Sequence, residues 1–89
     1  MANDHRDGGL EAALRLYSEG KFEDALSSLD DVIAADAADA GAHYLRGIIL
    51  KDSNRDALAV AAFDRALALE PELERAYYHR GTARFLAGD

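Results

Sequence analysis

Moved thirty-four residues along itself, this chain falls back on its own pattern without a gap. Ala42-His43-Tyr44-Leu45-Arg46-Gly47 lands on Ala76-Tyr77-Tyr78-His79-Arg80-Gly81. Gly20, Asn54 and Gly88 fall in one column, and Ala13, Gly47 and Gly81 in another. Ala25 meets Ala59, Leu29 meets Phe63, and Ile33 meets Leu67. A fixed period of this length restricts the fold to stacked copies of one supersecondary unit, since a single unit cannot bury its own apolar face. Eighty-nine residues hold two such units and half of a third.

The unit itself reads as helical. Ala, Leu, Arg and Glu dominate, and apolar residues recur three and four apart. The first helix carries Leu10, Leu14 and Tyr17 and stops at Gly20. A second begins near Phe22 or Glu23, where Glu23 and Asp24 favour the positive helix end. Asp36 to Asp39 reads as a turn, with Asp39 the N-cap of a third helix over Ala40 to Lys51. Ser53-Asn54 breaks that helix. A fourth, from Arg55 to Leu69, ends at Glu70-Pro71, because a residue before Pro is pushed out of the helical region. The fifth is expected over Glu72 to Ala87. Five helices joined by short loops place neighbours antiparallel. Residues 1–7 lack this pattern and are expected to form a disordered tail, leaving 8–89 as one domain.

The run Tyr44, Arg46-Gly47, Leu50, Ala59, Phe63, Ala66 and Pro71 resembles the tetratricopeptide repeat, a helix-turn-helix unit of the same period. The resemblance divides the chain into a first unit at about 7–39, a second at about 40–73, and a capping half unit at 74–89. The first unit departs from the pattern, with Gly9 at the aromatic position and Ala37 at that of Pro; in the second, Asp56 stands where an aromatic is expected. The fold class implied is all-α, a right-handed superhelical stack of antiparallel helix pairs. Arg46 and Arg80 occupy equivalent places, and a shared ion-pair network through Asp64 is expected to stiffen adjacent units.

By the same resemblance, the first helices of the units line a concave groove that binds a protein or peptide segment. Its columns are Leu10, Leu14 and Tyr17, then Tyr44, Ile48 and Lys51, then Arg75, Tyr78, Thr82 and Phe85. The aromatics along that strip suit an apolar anchor from a partner. Nearby acids, Asp52 among them, favour a basic or amphipathic segment, with Lys51 and Arg75 as local exceptions. Many family members grip a chaperone's terminal carboxylate with Lys, Asn and Arg in these helices. Here Leu10, Leu14 and Ile48 are apolar at clamp positions and His79 replaces an Arg, so that binding mode is not expected. The alternatives are a self-associating scaffold, for instance a homodimer through the fifth helix that hides Tyr77, or an accessory piece of a longer repeat protein.

Chemistry finds no foothold in the pattern. There is no Cys, and His5, His43 and His79 lack ligand spacing, so no metal or cofactor site is expected. The serines have no nucleophile-elbow context and no Gly-rich loop follows a strand, so no catalytic residues and no enzyme activity are expected. The net charge of −7 repels nucleic acid and anionic membranes. No apolar run reaches transmembrane length and no signal segment is visible, which suggests a cytoplasmic location. Eleven Asp against six Glu, and eight Arg against two Lys, are consistent with a surface suited to high salt or with a GC-rich coding bias. On the salt reading, screening removes self-repulsion in a small acidic domain, so the melting temperature should rise from low to molar salt. Thermal unfolding followed by circular dichroism measures this, and a flat response rejects it.

Overall fold

The computed structural model describes the backbone of residues 5–88 and side chains from Gly9 onward. It holds five helices, α1 (His5–Ser18), α2 (Phe22–Ala35), α3 (Ala40–Asp52), α4 (Asp56–Leu69) and α5 (Glu74–Leu86), with no strand among the described residues. Each packs on its chain neighbours, and α3 also touches α5, giving a stack 46 × 28 × 18 Å. The helix α1 already includes residues 5–7, which the sequence pattern assigned to a disordered tail; residues 1–4 lie outside the described residues.

The thirty-four-residue period is written first in the turns. Gly20, Asn54 and Gly88 all adopt positive φ, at 77°, 65° and 89°. Their N–H groups donate to the carbonyls of Tyr17, Lys51 and Phe85, at 2.9, 3.1 and 3.2 Å. Lys21 and Arg55 then donate to Leu16 and Leu50, both at 2.8 Å, which closes the end of α1 and of α3 in the same way. Gly and Asn are the residues that enter this left-handed region at low cost, which explains the column.

The turns between units repeat as well. Asp39 donates to Asp36 and Leu73 to Glu70, both at 3.2 Å, and Ala42 and Ala76 then donate back to Asp39 and Leu73 at 3.1 Å. Ala37 thus serves where Pro71 stands one period later. The Asp39 carboxylate also accepts from the Ala42 N–H at 3.2 Å, capping α3 as expected. The fifth helix starts at Glu74 rather than Glu72, because Glu72 and Leu73 are consumed by the turn that Pro71 initiates.

Packing follows the small-residue column. Phe63 of α4 is fully buried against Gly47 of α3, and a β-carbon at Gly47 would sit 2.6–2.8 Å from its ring. One period earlier, Leu29 and Ala13 are likewise fully buried in the same core. Gly9 lies so close to Val32 of α2 that a side chain there would collide, so an aromatic at the family position has no room. At Gly81 a β-carbon would meet nothing within 4 Å.

The ion pairs correct one expectation. Arg80 binds Asp64 at 2.8 Å, whereas Arg46 turns to Asp30 at 3.5 Å. Asp64 is therefore not shared. Each Arg reaches back to the second helix of the preceding unit, and the two pairs are themselves related by the period. Such exposed pairs contribute only about 0–1 kcal/mol each, so they fix register more than stability.

Two glycines one period apart should respond oppositely to the same change. Gly47→Ala forces a methyl into the immobile Phe63 ring and should cost about 1–3 kcal/mol. Gly81→Ala adds a helix-favouring residue in open space and should stabilise by about 0.5–1 kcal/mol. Urea unfolding of both variants measures the difference, and equal effects would contradict this packing.

Candidate functional site

The first helices of the three units, α1, α3 and α5, carry every side chain of the expected groove. The structure divides them into supports and exposed groups. On α1, Leu10 is half-buried against the core and Leu14 is exposed. Tyr17 is half-buried; its ring lies 5.9 Å from Phe22, and its hydroxyl donates to the Asp52 carboxylate of α3. That bond favours the protonated phenol and, with burial, pushes the Tyr17 pKa up to about 12. Lys51 sits beside the same carboxylate at 3.5 Å, its side chain only 18% exposed. Tyr17, Asp52 and Lys51 thus tie the ends of α1 and α3 together.

A second node joins α3, α4 and α5. Tyr44 lies 6.0 Å from both Phe63 and His79, and His79 stacks on Phe63 at 6.0 Å and 19°. Tyr78 meets the His79 ring edge-on at 5.2 Å. Aromatic pairs of this kind add about 0.5–1.5 kcal/mol beyond the area they bury. Tyr44 is half-buried, so its ring is partly a wall between units. Ile48 is also half-buried on the core, and Thr82 turns its hydroxyl to the Tyr78 carbonyl at 3.3 Å. Tyr78 and Phe85 project from this platform, 72% and 79% exposed, two helical turns apart on one side of α5. Arg75 is exposed at the start of the same helix.

The sequence placed His79 only as the residue standing where a clamp Arg is usual, yet it is the centre of the second node. Its column runs Glu11, Leu45, His79, and Leu45 is buried, which is the signal that this position faces inward. The His79 Nδ1 is buried without a hydrogen-bond partner. Desolvation lowers its pKa first, the Lys51 and Arg75 charges lower it further, and Asp52 opposes them. Asp52, read as a surrounding acid, is likewise engaged by Tyr17 and Lys51 rather than free. His43 donates from Nε2 to the Ala37 carbonyl at 3.0 Å. Among the described residues, no three His, Asp or Glu side chains converge as a metal-holding group. No helix there is long and apolar enough to cross a membrane.

Repeated helix pairs, with a bulky side chain of the second helix seated on a small residue of the first, define a tetratricopeptide-like helical-repeat domain. A comparison with solved structures supports this directly. The chain is similar to the structure described as "MamA RS-1 ArsTM double mutant", a protein that contains tetratricopeptide repeats, with a TM-score of 0.87 and 26% identity. The match covers 96% of this chain and 48% of that one, so this chain spans about half the length of its structural neighbour. No family model and no curated protein matches the sequence. Domains of this fold are protein-interaction modules as a class and are typically non-catalytic.

His79, half-buried with its Nδ1 out of reach of a partner, makes stability depend on pH. Its folded pKa lies below the ordinary value of about 6.5, so the unfolded chain binds the proton first. Stability is complete above about pH 6.5 and falls as the pH drops toward the folded pKa. The usable window is the range just below about pH 6.5. In it, His79→Leu, the residue found one period earlier, should flatten the dependence of urea midpoints on pH. An unchanged slope would place the titration elsewhere.

Proposed function

We propose that the face formed by α1, α3 and α5 binds an amphipathic segment of a partner protein, extended or helical, without catalysis. Tyr78 and Phe85 carry this reading. Both are large aromatics left open to water on one side of α5, while the residues behind them are committed to packing. Exposed rings on a packed support suit an apolar anchor, because an aromatic side chain has only two rotatable angles to order on binding. Leu14 extends the apolar strip on α1, Arg75 places a cation at its edge, and the charge of −7 over the whole chain draws a basic flank of the ligand toward it. Tyr44, Ile48, Lys51, Tyr17, Leu10 and Thr82 act as the floor that holds the strip flat.

The test separates exposed groups from supports. Tyr78→Ala with Phe85→Ala removes mostly solvent-facing surface plus the edge contact of Tyr78 on His79. Circular dichroism should therefore stay near wild type, and stability should fall by no more than the worth of one aromatic pair, about 0.5–1.5 kcal/mol. Partner capture from source lysate, quantified by mass spectrometry, should fall about tenfold or more. Tyr44→Ala should lower stability as well as capture, since its ring packs against Phe63 and His79. Equal capture by wild type and the double variant would reject the groove as the binding face.

A further inference from the structure

The Tyr78 and Phe85 strip is one side of α5, and a different side remains without a packing partner. In the second unit, α4 packs on α3 along the stripe of Gly47 and Leu50, with His43 one turn before them; Gly47 receives Phe63 and Leu50 is buried. One period later the stripe is Tyr77, Gly81 and Arg84, spaced four and three residues apart along α5. Gly81 is exposed with open space before it, and Tyr77 is 47% exposed. A hollow of about 420 Å³ lies between the end of α5 and the start of α4, lined by Asn54, Arg55, Asp56, Leu58 and Ala87, and also by Ala57. Ala57 stands one period after Glu23, the residue through which α2 meets Arg55 just before α4. The vacant seat at Gly81 and this hollow are therefore successive parts of one docking track, the track a second helix follows in the earlier units.

Charge narrows what can lie there. In a chain of net charge −7, α5 carries Arg75, Arg80 and Arg84 against Glu74 alone. Arg80 is held by Asp64 and lies 5.3 Å over the Tyr77 ring. Arg84 replaces the buried Leu50 and has no ion-pair partner among the described residues. A helix that merely copied α4 would face a cation where α4 faces leucine. The antiparallel pairing that sets Phe63 on Gly47 brings Ala59, one turn earlier, alongside Leu50, so the corresponding position of an occupant meets Arg84.

We propose that this face of α5 docks an acidic amphipathic helix from a partner protein, antiparallel to α5, with an aromatic side chain seated on Gly81 and a carboxylate one turn before it on Arg84. The site is separate from the Tyr78 and Phe85 strip and stands whether or not that strip binds.

The probe is a synthetic peptide of residues 54–72 of this chain carrying Ala59→Glu, which presents Phe63 as the anchor and the new glutamate to Arg84. It is titrated against the full chain by calorimetry or fluorescence anisotropy. Saturable binding is expected, weakened about tenfold or more by Phe63→Ala in the peptide. Gly81→Trp in the protein fills the seat from open space, so it should leave helicity intact and weaken binding to the same degree. Arg84→Glu should weaken it further than Arg84→Ala, and Tyr78→Ala should leave it unchanged. Absence of saturable binding overturns the proposal, as does binding indifferent to Gly81→Trp, which would mean the peptide exchanges with α4 instead. Sedimentation showing the free chain as a dimer that Gly81→Trp dissociates would also overturn it, making a second copy the occupant.

Discussion

Everything in this stack rests on one kind of contact, a bulky side chain of a second helix laid on a residue too small to resist it. Phe63 on Gly47 is its clearest form, since even a methyl group at Gly47 would overlap the ring. The close approach lets the α3–α4 pair bury Leu50, Ala59, Ala62 and Ala66 together. It also fixes the rotation of α4, and with it the placement of Asp64 and the back of Phe63 against which His79 stacks. The packing inside one unit therefore sets the position of the next. Protein interiors are close-packed and transmit such shape constraints over short distances without loss.

The same contact explains why the two ends of the stack differ. On α1, Glu11 and Arg15 are exposed at the places where Leu45 and Ile49 are buried one period later. That face of α1 is built for water. On α5, Ala76 and Ala83 are fully buried against the preceding unit, so its inward face is complete. Its outward stripe keeps the small residue Gly81 and the large apolar Tyr77 but exchanges leucine for Arg84. The two faces thus differ in chemistry, and the second is the one with unfilled shape.

Much of the fold was legible because the period repeats chemistry as well as pattern. Gly20, Asn54 and Gly88 share a column since the backbone there needs positive φ, a demand few residues meet. Asp39 was readable as a cap because a short acidic side chain before an alanine-rich run has a specific use for an orphan N–H. What could not be read depends on distances between units. Asp64 lies midway between two equivalent arginines in a linear sense, yet the geometry gives it to Arg80 and sends Arg46 back to Asp30. The start of the fifth helix moved by two residues because turn length is set by hydrogen bonds from Leu73 and Ala76, not by propensity. Of the expected groove residues, the sequence marked the column but not the split between Tyr78, left open, and Tyr44, drawn into the wall. Exposure depends on what packs against each ring, which a column alone does not say.

His79 shows how such a split arises physically. At its position Leu45 fills space by shape alone, while an imidazole brings a nitrogen that is left buried and unpaired. That arrangement costs stability whenever the ring gains a proton, and Lys51 and Arg75 increase the penalty. In return, the ring gives Tyr44, Phe63 and Tyr78 a common stacking surface that a leucine cannot supply. The imidazole thus exchanges stability at low pH for an ordered aromatic surface. Tyr78 is the exposed end of that surface, so rigidity generated inside the core is delivered to a ring open to water.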